Sequence, residues 1–132
     1  MHENFMARAI ELAKKGRGSV SPNPLVGCVL VKDREIIGEG YHKKFGGPHA
    51  EVMAFQNARK DPIDCTVYVN LEPCNIKAKT PPCTKFLKEN GAAEVFISNV
   101  DPNSDISGEG IEELNRFNIR TNVGILKEEV KE

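Results

Sequence analysis

Residue types that bind metals and move protons stand close together in two short segments of the chain. His49, Ala50 and Glu51 form a His-x-Glu triplet, and Cys74 and Cys83 flank eight residues that end in two prolines. An imidazole and two thiolates suit Zn²⁺, and three protein ligands leave a fourth position open for water. A carboxylate that reaches this water can take its proton and later deliver one to a leaving amine. The spacing therefore predicts zinc on His49, Cys74 and Cys83, with Glu51 carrying the proton of a deamination.

The surrounding residues predict elements that bring these segments together. Hydrophobic periodicity and turn residues predict helices over 4–15, 50–58, 84–90 and 111–117 and strands over 26–31, 35–41, 65–70, 94–100 and 119–125. The first two strands form a hairpin, and the later strands alternate with helices, which favours parallel pairing. We expect an α/β fold with a mixed five-stranded sheet and helices on both faces. The two segments then lie at strand carboxyl ends and helix N-termini, where α/β proteins place their sites.

Length and composition indicate one ordinary domain over residues 1–132. The chain is 39% hydrophobic and 28% charged, with a net charge of −1. Such a balance gives no broad attraction for nucleic acid or a membrane surface. No apolar run approaches the roughly 20 residues of a membrane helix, and the N-terminus lacks the features of a signal peptide. We therefore expect a cytoplasmic protein whose thiols are reduced or metal-bound rather than paired.

Several longer motifs resemble those of one known family, the deaminase domain of the bacterial riboflavin-biosynthesis protein RibD. The matching motifs are Pro-Asn-Pro-x-Val-Gly at 22–27, Gly-x-Gly-x-His at 38–42, Gly-Gly-Pro-His-Ala-Glu at 46–51, Leu-Glu-Pro-Cys at 71–74, Thr-Pro-Pro-Cys at 80–83 and Asp-Pro-Asn at 101–103. The resemblance extends over nearly the whole chain.

The resemblance implies a cytidine-deaminase-like three-layer sandwich, and zinc on the same three ligands with Glu51 as proton shuttle. It implies deamination of diaminohydroxyphosphoribosylaminopyrimidine, a pyrimidine nucleotide. The residues that the resemblance places near this substrate are Asn23, His42, Lys79, Asp101 and Asn103. It also implies a homo-oligomer. The family protein continues into a reductase domain, whereas this sequence stops at Glu132. Either a separate reductase of the same pathway is the expected partner, or the deaminase serves another purpose.

The segment between the two cysteines departs from the family pattern. The family reads Cys-x-His-x-Gly here, whereas this chain has Ile76 and Ala78 in place of the histidine and the glycine. A polar substrate contact has thus become apolar, which leaves the substrate less determined than the metal site. Deamination of another base, a nucleoside or tRNA is one alternative, and a non-catalytic zinc module closed by four ligands is another.

Each of these residues also has a purely structural interpretation. The two cysteines could form a disulfide, His49 could cap a helix or fill the core, and Glu51 could stabilise a helix N-terminus through the helix dipole. Cys28 and Cys65 lie in apolar strands and are expected to be small buried residues. His2, close to the terminus, is expected to be solvated.

Overall fold

The computed structural model describes residues 2–18, 25–43, 48–73, 83–99 and 108–126. Its helices are α1 (His2–Lys14), α2 (Ala50–Gln56), α3 (Cys83–Glu89) and α4 (Glu109–Arg116). Its strands are β1 (Gly27–Lys32), β2 (Glu35–Tyr41), β3 (Thr66–Leu71), β4 (Glu94–Asn99) and β5 (Arg120–Val123). None of the helices in these ranges is both long and apolar enough to cross a membrane.

The five strands form one mixed sheet in the order β2-β1-β3-β4-β5. β1 pairs antiparallel with β2, as expected of a hairpin, and also antiparallel with β3. β3, β4 and β5 pair parallel to one another. The carboxyl ends of the parallel strands therefore meet at one edge of the sheet, next to the segments that lead to α3 and α4.

Helices cover both faces of the sheet, so the fold has three layers. On one face, α2, α3 and α4 bury a core that alternate strand residues such as Leu30, Val67 and Ile97 share. On the other face, α1 packs Met6, Ala9 and Ile10 against a second core. Residues of one strand alternate between the two cores because successive side chains of a β-strand point to opposite faces of the sheet.

The predicted elements are confirmed, with boundaries that shift by at most two residues. His2 is exposed, which confirms the prediction of a solvated residue. It also makes contacts that were not predicted: its ring stacks on Phe96 with centroids 4.3 Å apart, and its Nδ1 lies within hydrogen-bond distance of the Tyr68 hydroxyl. A position near a terminus does not indicate such contacts with distant strands.

A buried amide fixes the start of β1. Asn70 is 3% exposed; its Oδ1 accepts a hydrogen bond from Gly27 N at 2.7 Å and its Nδ2 donates one to Leu25 O at 2.9 Å. Without the Asn70 side chain, the N–H of Gly27 and the carbonyl of Leu25 would be buried backbone groups that lack these hydrogen bonds. Asn70 thus holds the N-terminal end of β1 beside the carboxyl end of β3.

Candidate active site

The first turn of α2 carries two of the predicted site residues. His49 is the N-cap, with φ −73° and ψ 162°, and its carbonyl accepts the hydrogen bond of Met53 N at 3.1 Å. Its side chain makes no capping hydrogen bond, which excludes the helix-capping interpretation. Glu51, in the first turn, is only 3% exposed. A buried carboxylate is rare on a helix unless it is paired or coordinates a metal.

Close packing of α2 on the hairpin determines where this turn lies. A methyl group at Gly40 of β2 would stand 2.4 Å from Ala54 N and 2.7 Å from Ala50 O. Only glycine permits this approach, because its missing Cβ leaves room for the helix backbone. The Gly-x-Gly of the sequence motif therefore places the helix that carries His49 and Glu51.

The first residue of α3 completes the described part of the site. The Sγ atom of Cys83 lies 3.1 Å from Nδ1 of His49 and 3.7 Å from Oε1 of Glu51, towards which the thiol is a donor. Cys83 is 3% exposed. Cys83 thus meets His49 and Glu51, which stand 34 and 32 residues earlier in the sequence, where the N-termini of α2 and α3 adjoin.

His42 lies next to this cluster, directly after β2. It is 4% exposed, its Nδ1 is 3.0 Å from Pro48 O, and its ring stands edge-on to that of His49 with centroids 5.6 Å apart. A carbonyl oxygen can only accept, so Nδ1 is the protonated nitrogen. In the neutral ring, Nε2 is then the acceptor nitrogen.

The sheet beneath the cluster presents a neutral thiol. Cys28 is fully buried, and burial, with the negative charge of Glu51 as a further cause, raises the pKa of its thiol well above the usual value. Burial also raises the pKa of Cys65 to about 11. Both residues are buried, as the sequence predicts; Cys28 lies in β1, whereas Cys65 immediately precedes β3 rather than lying in it. The structure records Cys28, Cys65 and Cys83 as free of disulfides.

The donor set and its spacing suit a zinc ion. Ligands about 2.0 Å (imidazole) and 2.3 Å (thiolate) from a tetrahedral ion lie roughly 3.5 Å apart, close to the 3.1 Å between Nδ1 of His49 and Sγ of Cys83. In the part of the chain that the structure describes, no group of three side chains amounts to a complete metal site. The third predicted ligand, Cys74, lies outside the described residues.

The structure thus brings together His42, His49, Glu51 and Cys83 among the predicted site residues. The remaining predicted residues, Asn23, Cys74, Lys79, Asp101 and Asn103, lie outside the described residues, as do Ile76 and Ala78.

Two buried polar residues beside the site were not singled out from the sequence. Glu72 and Thr84 are 4% and 0% exposed, and each makes side-chain hydrogen bonds to α4 or to the residue that precedes it. Glu72 lies within the Leu-Glu-Pro-Cys motif, in which only the cysteine was predicted to have a functional role. Adjacency to the two cysteines was the only signal that could have indicated either residue.

Comparison with known proteins gives consistent matches. Residues 1–99 match the model of the cytidine and deoxycytidylate deaminase zinc-binding region. A diaminohydroxyphosphoribosylamino-pyrimidine deaminase of Buchnera aphidicola subsp. Acyrthosiphon pisum is 48% identical over 128 residues, which cover 97% of this chain and 87% of the relative. The riboflavin biosynthesis protein RibD of Actinobacillus pleuropneumoniae is 48% identical over 126 residues, 96% of this chain but 34% of the relative.

The structural match agrees. A crystal structure of a Thermotoga maritima diaminohydroxyphosphoribosylaminopyrimidine deaminase/5-amino-6-(5-phosphoribosylamino)uracil reductase superimposes with a TM-score of 0.92 at 52% identity, covering 97% of this chain and 37% of that one. This chain therefore spans about a third of the length of the RibD relatives that it matches.

Proposed function

Because this chain belongs to the cytidine and deoxycytidylate deaminase family, and within it to the diaminohydroxyphosphoribosylamino-pyrimidine deaminases, we propose that it hydrolytically deaminates diaminohydroxyphosphoribosylaminopyrimidine in riboflavin biosynthesis. The observation that carries the proposal is the meeting of His49 Nδ1, Cys83 Sγ and Glu51 Oε1 at the adjoining N-termini of α2 and α3. Two metal-binding atoms and a buried carboxylate at one point are what such a reaction requires.

His49, Cys74 and Cys83 would hold the metal. The matched family region is a zinc-binding one, and the nitrogen and sulfur donors are those that Zn²⁺ prefers. When bound, the ion supplies Lewis-acid activation of water at neutral pH. The extended backbone of His49 and the missing cap hydrogen bond leave the imidazole directed at Cys83 rather than at its own helix.

Glu51 would move the proton. Its carboxylate would carry one proton of the attacking water to the ring nitrogen as the C–O bond forms, and the second to the amino group as the exocyclic C–N bond breaks. The products are the ring carbonyl and ammonia. The 3% exposure of Glu51 keeps bulk water from competing for this proton, and the backbone of the first turn keeps the carboxylate beside Cys83.

The substrate would be held from several directions. His42, whose ring is oriented by the contact of its Nδ1 with Pro48 O, lies beside the cluster and is proposed as one substrate contact. Asn23, Lys79, Asp101 and Asn103 are proposed as further substrate contacts on the strength of the family resemblance alone. Residues 1–132 would act as a single deaminase domain within a homo-oligomer, and a separate reductase would use the product, since the longer relative from T. maritima combines both activities in one chain.

The test is ammonia release from diaminohydroxyphosphoribosylaminopyrimidine by zinc-loaded protein, with zinc content measured in parallel. Glu51→Gln should lower turnover by roughly 10²- to 10⁴-fold, the usual contribution of a general acid–base group, while zinc stays bound. Glu109→Gln is the matched control, because Glu109 is an exposed acid in the first turn of another helix and its loss should change nothing.

Other results would contradict particular parts of the proposal. Full turnover by Glu51→Gln would exclude Glu51 as the proton carrier. A zinc-loaded wild type that leaves this nucleotide intact but deaminates dCMP, cytidine or a tRNA would refute the substrate. Zinc retention without any deamination would favour the non-catalytic zinc module.

A further inference from the structure

A buried glutamate joins the segment before Cys74 to helix α4. Glu72 follows β3 and is 4% exposed. Its Oε1 accepts a hydrogen bond from Gly108 N at 3.0 Å, and its Oε2 accepts one from Ile111 N at 3.1 Å. Both carboxylate oxygens thus serve backbone donors at the start of α4, where the first N–H groups of a helix lack intrahelical partners.

Backbone packing reinforces this junction. A methyl group at Gly110 would lie 2.1 Å from Pro73 O and 3.1 Å from Cγ of Glu72. The first turn of α4 therefore rests directly on the residue that immediately precedes Cys74 in the sequence. No other residue type would fit at position 110 without moving either the helix or this segment.

The same helix also contacts the residue after Cys83. The hydroxyl of Thr84, which is fully buried in α3, donates a hydrogen bond to Oε1 of Glu113 one turn into α4. The Glu113 side chain is 25% exposed and stands 4.0 Å from Arg116. Helix α4 thus makes side-chain contacts next to both cysteines, although it carries no site residue itself.

We infer that α4 is a brace that positions Cys83 and the segment that ends at Pro73, with Glu72 and Glu113 as the positioning residues. The inference rests on the proposed metal site and deepens it. Glu72 fixes the backbone that leads into Cys74, and Glu113 fixes Thr84 beside Cys83. If α4 shifts, Cys83 and the segment that ends at Pro73 move relative to each other and to His49. Residues that orient metal ligands commonly contribute 10- to 100-fold to metal affinity.

Zinc affinity, measured by competition with a chromophoric chelator, tests the brace independently of turnover. Glu72→Gln keeps the size of the side chain but exchanges one acceptor for an amide donor that faces a backbone N–H. We expect its zinc dissociation constant to rise about 10- to 100-fold. Glu109→Gln also removes one negative charge near the start of α4 but leaves Glu72 unchanged. The zinc affinity of this control variant should therefore equal that of the wild type.

The second contact has its own pair of variants. Glu113→Gln retains an oxygen that can accept from the Thr84 hydroxyl and should hold zinc as the wild type does, whereas Glu113→Leu should weaken zinc binding. Arg116→Ala controls for the loss of the neighbouring ion pair. In Co²⁺-loaded protein, the thiolate-to-metal charge-transfer bands should change in Glu72→Gln and Glu113→Leu but not in Glu113→Gln, a signature that general destabilisation would not produce.

The outcomes separate the brace from the function. Suppose that the wild type holds zinc and deaminates, while folded Glu72→Gln and Glu113→Leu bind zinc within twofold of the controls and have unchanged cobalt spectra. The brace is then refuted, and the proposed function stands. If the wild type binds no zinc, both fail together. Should Glu72→Gln not fold, Glu113→Leu and Glu113→Gln decide the question, because their side chains are partly exposed and lie away from the packed junction.

Discussion

Replacing Gly40 by alanine should damage the active site without touching any residue in it. The added Cβ would lie 2.4 Å from Ala54 N, 2.6 Å from Cβ of Met53 and 2.7 Å from Ala50 O. Unstrained contacts between such atoms are about 3.5 Å, so α2 must move away from β2 by about 1 Å. Two of the three contacts are backbone atoms, which cannot change rotamer to avoid the methyl group.

Two measurable losses follow from this displacement. Overpacking of a close-packed core costs about 1–3 kcal/mol of unfolding free energy, which urea denaturation monitored by circular dichroism resolves. A misplacement of about 1 Å at a catalytic group can cost about 10²-fold in rate, and the displaced helix begins at the residue after His49. Ammonia release by the folded, zinc-loaded variant should fall accordingly.

Gly38→Ala is the matched control on the same strand. Its methyl group would lie 2.5 Å from Ala54 O but more than 3 Å from the next atoms, Ala58 Cα and Leu30 Cδ1. It presses on the middle and end of α2 rather than on its first turn. We expect a comparable or smaller loss of stability and a much smaller loss of turnover. Equal activity losses in the two variants, or wild-type stability and activity in Gly40→Ala, would refute the argument that close strand–helix contact places the catalytic turn.

Three further predictions concern the described core and surface. Asn70→Leu should lower the unfolding free energy by about 2–4 kcal/mol, because two buried backbone groups at the start of β1 lose their partners; a change below 1 kcal/mol in urea denaturation would contradict this. Cys28 and Cys65 should resist iodoacetamide at pH 8 in the native protein, because burial raises the pKa of both thiols. With a pKa of about 11, Cys65 has about one thiolate in a thousand at this pH. Rapid labelling of the native protein, detected by peptide mass spectrometry, would refute this prediction. Glu39→Gln should cost about 0.5 kcal/mol at pH 7 through its ion pair with Arg8, which lowers the pKa of the Glu39 carboxyl. A lowered folded-state pKa adds stability that is complete above the unfolded-state pKa and is lost as the pH falls through the folded-state pKa. The difference from wild type should therefore shrink steadily as acid protonates the Glu39 carboxylate, and a difference that did not shrink on acidification would exclude the ion pair as its cause.

The elements could be predicted from the sequence because their patterns are local. The continuous apolar run VGCVLV reflects a strand buried on both faces of the sheet, and the helical spacing after His49 reflects burial of one helix face. The structure confirms both elements with small boundary shifts. The mixed sheet was predicted, but the strand order β2-β1-β3-β4-β5 was not. It depends on which faces fit in three dimensions, and no periodicity records that.

The site divides in the same way. His49, Glu51 and Cys83 could be predicted as a group because each residue type is chemically unusual at its position, and the structure brings them within hydrogen-bonding distance. Glu72 and Thr84 could not, because their partners lie 29 to 39 residues away. An acid before a proline or a threonine in a helix is common, and only the tertiary contacts distinguish these two.

The residue at the N-cap of α2 serves the site at the expense of helix stability. Ser, Thr, Asp or Asn at this position would accept a hydrogen bond from the first turn and stabilise the helix by about 1 kcal/mol relative to alanine. This chain has His49 there, with no side-chain capping bond and its Nδ1 3.1 Å from Cys83 instead. A serine at this position can supply the capping hydrogen bond, whereas an alanine cannot. The unfolding free energy of metal-free His49→Ser should therefore exceed that of metal-free His49→Ala by about 1 kcal/mol. Both variants should lose zinc. Equal stability of the two variants would mean that the first turn is already satisfied from elsewhere, and the missing cap could not then be counted as a cost of placing an imidazole beside Cys83.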